Sequence, residues 1–330
     1  MNTLRVVFFG SPAFAVPSLE ALLREGWPVA AVTTQPDKAR GRGLKPSPGP
    51  VKAVALSHGI PVLQPERLKT EEFLSEIARL APDLGVVAAY GKILPQALLD
   101  IPRLGMVNVH ASLLPRWRGA SPVHRAVMAG DPETGVCIMR VVKELDAGGV
   151  FSVARRAIGP DETSEEVERD LAVLGAQLLV STLPALASGS ASETPQDERG
   201  VAYAPRLTKE EGLIAWEADA AAIHNQVRGL HPWPHAYTYL DEARVIVLRT
   251  ALPAPSSWDS ASAGLKSPPR PALPGEVVGV EGDRLVVAAG NSSLLHVLQL
   301  QAEGRRALSG RDFSAGARLK AGKRFGTWPA

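Results

Sequence analysis

Leu4-Arg5-Val6-Val7-Phe8-Phe9-Gly10-Ser11-Pro12 opens the part of the chain whose reading decides the fold. The apolar run has the β-branched and aromatic residues of a buried strand, and Gly10-Ser11-Pro12 ends it in a tight turn. It is too short for the core of a secretory leader, and Gly10 and Pro12 break the pattern directly after it. Beyond the turn, Leu19, Leu22 and Leu23 recur at helical spacing, and Gly26 supplies a stop. The alternation then repeats. Strands are expected at 29–34, 60–63, 84–89, 106–110 and 136–142. Helices are expected at 51–58, 71–80 and 122–129, the last with Ser121 as N-cap and Pro122 at its first position. Strands alternating with helices predict an α/β fold whose mostly parallel sheet is covered on both faces. Ligands of such sheets bind at the carboxyl ends of the strands.

At 330 residues the chain exceeds most single cores, so two domains are expected. A helix is predicted over 163–187, after which Ser, Ala, Glu and Pro dominate. The expected boundaries are a catalytic domain at 1–188, a linker at 189–206 and a smaller domain at 207–330. The last part has one helix near 219–228 and short β-like runs at 236–240, 245–248, 276–280, 284–288 and 294–300, a pattern that suits a small barrel. A Pro/Ser/Ala-rich segment at 253–274 reads as an insertion between them. Lys and Arg number 36 against 34 Asp and Glu, which excludes a strongly basic nucleic-acid binder, although cations slightly outnumber anions from Leu207 onward. One cysteine, Cys137, rules out a disulfide framework and fits a reducing compartment. No stretch reads as long and apolar enough to span a bilayer, and the expected location is cytoplasmic.

The first βα turn lacks the GxGxxG spacing, with Pro12 and Phe14 where a pyrophosphate would need glycine. A nicotinamide enzyme is thereby disfavoured, while a plain tight turn and a substrate-lining loop both remain open. Residues 35–50 form a polar loop carrying Lys38, Arg40, Arg42 and Lys45. Four cations there serve either a solvated surface or a grip on phosphates. Asn108 and His110, two apart in a strand, share one face at its carboxyl end. A lone strand histidine is usually a core residue. An amide and an imidazole together at this end of the sheet make a catalytic pair equally plausible. Asp146, in Leu145-Asp146-Ala147-Gly148-Gly149, is a turn-former unless the neighbouring strand carries it to His110. The remaining histidines are too scattered for a metal set, so no metal is expected.

Taken together, Asn108-Val109-His110-Ala111-Ser112-Leu113-Leu114-Pro115-Arg116-Trp117-Arg118-Gly119-Ala120 and Leu145-Asp146-Ala147-Gly148 resemble the folate-dependent formyltransferases. Thr34-Gln35-Pro36-Asp37, Gly41-Arg42-Gly43, Ala89-Tyr90-Gly91-Lys92-Ile93-Leu94-Pro95 and Pro232-Trp233-Pro234 narrow the resemblance to the methionyl-tRNA formyltransferase family, over nearly the whole chain. It implies a Rossmann-like formyltransferase fold with a smaller OB-like C-terminal barrel. It also implies 10-formyltetrahydrofolate as co-substrate, the α-amine of initiator methionyl-tRNA as acceptor, and a monomer. The catalytic residues it implies are Asn108, His110 and Asp146. Folate contacts are implied at Ser112, Leu113, Leu114 and Pro115, and on the backbone strip containing Ala89, Tyr90, Gly91, Ile93 and Leu94. Ser11, Pro12 and Phe14 would line the aminoacyl pocket, and Lys38, Arg40, Arg42 and Lys45 would meet tRNA. Gly149 departs from the family pattern, in which Asp or Pro often stands there, and the basic loop ends with different spacing at Pro46-Ser47-Pro48-Gly49. Formyltransferases acting on amino-sugar nucleotides or purine-pathway amines, a folate deformylase with the same triad, and a silent tRNA-binding protein are the competing readings. The intact Asn108, His110 and Asp146 weigh against the last.

Overall fold

The computed structural model describes residues 4–37, 47–253 and 272–326. Val6–Gly10 (β1) is buried along its whole length, as a central strand covered on both faces must be. Val16–Arg24 (α1), with Pro17 in its first turn, returns the chain to Val29–Thr33 (β2), which lies parallel to β1. Three more crossovers adopt the same scheme. Pro50–Ser57 (α2) leads to Val62–Leu63 (β3), Glu71–Arg79 (α3) to Leu84–Ala88 (β4), and Gln96–Leu99 (α4) to Met106–His110 (β5). Thr70 caps α3 by accepting from the Phe73 N–H. After Arg118–Gly119 (β6) and Pro122–Met128 (α5), the strands Glu133–Arg140 (β7) and Val150–Ala157 (β8) form an antiparallel hairpin.

The sheet has seven strands in the order β3-β2-β1-β4-β5-β7-β8. Pairings β2–β3, β1–β2, β1–β4 and β4–β5 are parallel and only β5–β7 and β7–β8 are antiparallel, as a mostly parallel sheet requires. On one face Val7, Phe9, Val87 and Met106 pack with Phe73 and Ile77 of α3. On the other lies Ser164–Ser188 (α6), where a Cβ at Gly175 would stand 2.7 Å from Val109 Cγ1 and 3.2 Å from Val136 Cγ1. Val109 thus faces α6, and Asn108 and His110 face the opposite side, in line with Met106.

The described chain divides into two compact units. The first holds residues up to 122, 133–157 and 168–205. The second holds 123–132, 158–167 and 206 onward. Residues 189–205 therefore lie with the first unit, where Tyr203–Ala204 (β9) pairs parallel with β6 and Thr194 bridges Val150.

In the second unit Asp219 caps Ala220–Gly229 (α7) by accepting from the Ala222 N–H at 2.7 Å. Then come Ala236–Leu240 (β10), Ala243–Ala251 (β11), Val277–Glu281 (β12), Arg284–Ala288 (β13), Leu294–Ala302 (β14), Leu308–Ser309 (β15), Gly310–Gly316 (α8) and Phe325–Gly326 (β16). The antiparallel order β12-β13-β14-β11-β10-β16 closes on itself, because Glu276 bridges Arg324 and the Phe325 N–H donates to the Gly275 carbonyl. Trp216 stacks on Phe325 inside, and its Nε1 donates to Thr238 Oγ1 at 2.9 Å. His231 packs 5.2 Å from the His235 ring, with its Nε2 3.3 Å from Glu165. Most of the 253–274 insertion lies outside the described residues.

One expectation is corrected. α6 runs 25 residues and contains an 18-residue window of mean hydropathy 1.7, long and apolar enough to cross a bilayer. Here that apolarity serves the protein core: Leu171, Leu179 and Leu183 are fully buried, whereas Val173 is half exposed. Truncating Leu179 to Ala should lower the unfolding free energy by about 2–5 kcal/mol in urea titrations, while Val173→Ala should change it by less than about 0.5 kcal/mol.

Candidate active site

β5 delivers Asn108 and His110 to the carboxyl end of the sheet, opposite Met139 and Cys137 of β7. His110 is buried while Asn108 is partly exposed, and among the described residues the Asn108 amide makes no hydrogen bond. Both nitrogens of the His110 ring face oxygen. Nε2 lies 3.2 Å from the Trp117 carbonyl, and Nδ1 lies 3.7 Å from Asp146 Oδ2, an ion-pair rather than a hydrogen-bond separation.

Asp146 sits in the left-handed region at φ +47, a conformation that carbonyl-bearing Asp tolerates better than most residues. Its Oδ2 accepts from the Gly119 N–H at 2.9 Å, while Oδ1 takes no hydrogen bond among the described residues. Gly119 itself is at φ +129, and an added Cβ would stand 2.6 Å from the Ala204 carbonyl oxygen. The loop is tight at Gly148 also, where a Cβ would meet the Arg140 carbonyl oxygen at 2.0 Å. At Gly149, the departure from the family pattern, a Cβ would come 2.9 Å from the Glu193 side chain.

The Ser112-Leu113-Leu114-Pro115 turn is tied from within. Ser112 Oγ donates to the Arg116 carbonyl at 2.7 Å, and Cys137 Sγ lies 3.1 Å from the Ser112 carbonyl it donates to. Leu113, Leu114 and Pro115 stay half-buried. After β4 the chain alternates. Ala89 at φ +45, Gly91 at φ +78 and Ile93, which is 84% exposed, face outward, whereas Tyr90 and Leu94 are buried. Tyr90 packs edge-on to Phe9 at 5.6 Å; its hydroxyl has no partner among the described residues, and burial pushes it up to about 12.

Ser11 Oγ accepts from the Gln35 N–H at 2.9 Å, and Gln35 Nε2 donates to the Tyr90 carbonyl at 2.9 Å. The turn after β1 is thereby linked to the strip after β4. Phe14 is buried and Pro12 exposed. Asp37, the residue before the basic loop, bonds Lys52 and Gln64, and those bonds hold its carboxyl below the usual range. Lys38, Arg40, Arg42 and Lys45 lie outside the described residues. Among the described residues no three His, Cys, Asp or Glu side chains form a metal-ligand set.

Residues 4–183 match the formyl transferase family, and residues 206–318 match the formyl transferase C-terminal domain. The chain is 44% identical over 326 residues to the methionyl-tRNA formyltransferase of Citrifermentans bemidjiense, covering 99% of this chain and 98% of that one. It belongs to the methionyl-tRNA formyltransferase family. Identity to the Bacillus subtilis relative of the same name is 41%, with 98% of each chain covered. Solved structures share the fold at lower identity. WlaRD, a sugar 3N-formyl transferase crystallised in the presence of dTDP and 5-N-formyl-THF, superposes with a TM-score of 0.64 at 15% identity, over 93% of this chain and all of its own. HypX from Aquifex aeolicus in complex with tetrahydrofolic acid gives 0.62 at 16%, over 99% of this chain and 50% of that one.

Cys137 provides a direct check of the floor of the site. Burial pushes its thiol from the usual 9.0 up to about 11. At pH 8 the folded protein then holds about a hundredth of the thiolate of a free cysteine, and alkylation should be slower by at least about 100-fold than in urea. Because the folded thiol keeps its proton above pH 9, this group should weaken folding as pH rises from 9 towards 11.

Proposed function

We propose that this chain transfers the formyl group of 10-formyltetrahydrofolate to the α-amine of initiator methionyl-tRNA, with Asn108, His110 and Asp146 as its catalytic residues. The observation that carries the reading is the convergence of His110 and Asp146, 36 positions apart in the chain, to 3.7 Å beside an uncommitted Asn108 amide.

The donor set fits a folate. A pterin is flat, with donors and acceptors on its edge and an apolar face. The strip containing Ala89, Gly91 and Ile93 offers outward backbone beside an exposed aliphatic side chain, and Leu113 and Leu114 add apolar surface. Ser11, Pro12 and Phe14, joined through Gln35 to that strip, are assigned to the aminoacyl end of the acceptor. When bound, the folate supplies a formyl carbon whose oxygen gains negative charge as the new C–N bond forms.

An α-amine titrates near ~7.7–8 at a free chain end and lower when the carboxyl is esterified, so much of it is neutral at pH 7. The heavier demands are holding the developing oxyanion and moving a proton. Asn108 Nδ2 donates to the oxyanion, a role typically worth about 10²–10³ in rate. His110 stands behind it as a second donor. Asp146 Oδ1, left open by the Gly119 bond to Oδ2, takes the proton from the attacking amine and passes it to the departing nitrogen, directly or through water, a relay worth about 10²–10⁴.

The domain assignment is a catalytic part at 1–188, a connecting segment at 189–206 and a tRNA-binding part at 207–330. The protein acts as a cytoplasmic monomer without membrane attachment, and it needs no metal. The basic loop is outside the described residues.

Labelled 10-formyltetrahydrofolate with charged initiator tRNA should yield label on the methionine amine. Asn108→Ala should cut kcat by about 10²–10³. Formate release without labelled tRNA would mark a hydrolase instead. Changing Lys38, Arg40, Arg42 and Lys45 together to Ala should raise KM for tRNA and reduce the salt slope of log(kcat/KM) by up to about 4, since each cation removed leaves one phosphate un-neutralised. An unchanged slope would exclude the loop from tRNA binding.

A further inference from the structure

We infer that Gln196 is a positioning residue for the transfer reaction, and that the segment read from composition as a linker is a working wall of the active site. The inference rests on the reading of Asp146 as the proton carrier. Gln196 Nε2 donates to the Asp146 carbonyl at 2.8 Å and to the Gly148 carbonyl at 2.7 Å. One side-chain amide thus spans the turn that carries the carboxylate and engages both carbonyls flanking Ala147. Its own oxygen is committed as well, accepting from Arg118 Nε at 3.0 Å.

Arg118 is an anchored group. It is buried to 4% exposure, and its Nη2 donates to Glu198 Oε1 at 2.9 Å. Its backbone N–H donates to the Ala202 carbonyl at 2.8 Å, and its neighbour Gly119 gives the 2.9 Å bond to Asp146 Oδ2. Asp146 is therefore gripped at two points by one clasp: Gly119 holds the carboxylate, and Gln196, itself held by Arg118, holds the backbone. The residue needs such a grip. Its φ of +47 is a conformation that local sequence does not secure, and such a conformation persists only where its surroundings impose it.

The grip also fixes which carboxylate oxygen does what. With the backbone carbonyl pinned and Oδ2 turned to Gly119 and His110, Oδ1 is the oxygen left for the reacting amine. Releasing Gln196 frees the turn to rotate about residues 146–148, which moves the carboxylate relative to the neighbouring imidazole without removing any group that touches substrate. A misplacement of about 1 Å is enough to cost about 10²-fold in rate.

The test is a double-mutant cycle on the full-length enzyme. Gln196→Leu, which removes both donors and the acceptor, should lower kcat by about 10- to 100-fold while KM for folate and for tRNA stays within about 2-fold. Gln196→Glu, which keeps an acceptor for Arg118 and loses both donors, should lower kcat similarly. In an Asp146→Asn background the same Gln196 change should cost less than about 3-fold, because the group it positions is already disabled. Wild-type kcat in both Gln196 variants, losses that multiply with Asp146→Asn, or an effect confined to KM would each overturn the inference. Full activity of Asp146→Asn alone would instead overturn the reading of Asp146, which keeps the two failures apart. Urea midpoints within a few tenths of a molar of wild type separate positioning from unfolding. A variant that unfolds yet retains kcat per folded molecule also counts against the inference.

Discussion

The bond from the Gly119 N–H to Asp146 Oδ2 joins two parts of the site that have no covalent reason to meet. On one side, β5 runs into the turn that ends in Arg118 and Gly119; on the other, β7 ends at Arg140 and the chain loops through Asp146 before β8. The antiparallel β5–β7 pairing sets His110 opposite Cys137 but leaves Asp146 in a loop whose position the sheet does not dictate. The carboxylate stands beside His110 because a backbone amide holds it there, and glycine is required at 119 since any Cβ would strike the Ala204 carbonyl. Much of what surrounds the site serves that bond: β6 pairs with β9, and Arg118 is buried and doubly bonded.

The site is floored by groups that stay neutral. Cys137 lies under the Ser112 turn and Tyr90 under the strip after β4, each with its proton retained well past physiological pH because burial penalises the anion. Above these neutral groups, His110 and Asp146 stand 3.7 Å apart at the carboxyl end of the sheet. The buried Tyr90 hydroxyl, without a partner among the described residues, is a desolvation cost of roughly 1–3 kcal/mol. The ring offsets part of that by packing edge-on to Phe9, within the same cluster that seats α3 against the sheet.

The central strands were legible because they are buried on both faces and so read as unbroken apolar runs, as in Val6–Gly10 and Leu84–Ala88. Asn108 and His110 were legible because a period of two places them together and Met106 extends the same face into the core. The antiparallel edge was not legible: Val150–Ala157 alternates half-buried and exposed residues instead of forming an apolar run and was not expected as a strand, and the short 141–149 connection is what turns β8 back along β7. α6 reads as apolar enough for a membrane because one of its faces is wholly core and its exposed positions, such as Val173, are apolar too. Gln196 was not legible at all. Its neighbours are Ser, Thr, Pro and Asp, no spacing marks it, and its role arises from carbonyls fifty and forty-eight positions upstream.

Formyl transfer to an amine explains why a site of this kind invests in placement. Much of the nucleophile is already neutral at pH 7, so little is gained by a strongly shifted base. What the reaction demands is an amide donor where the oxyanion forms and one carboxylate oxygen directed at a moving proton. Both are problems of geometry, and geometry is set by backbone bonds and shape: Gly119, Gly148 and Gly135 are positions where a Cβ would collide with a carbonyl oxygen at 2.6 Å or less. At Gly135 the same Cβ would also press on Leu113 Cδ2 at 2.5 Å, in the turn just after His110. A segment of low sequence character at 189–204 suits the outer side of the clasp, because it contributes backbone carbonyls, the Gln196 amide and the Glu198 carboxylate that hold Arg118. Tight glycines on the inside and a plain clasp on the outside are the same solution seen from two sides: the carboxylate is held by what cannot move around it.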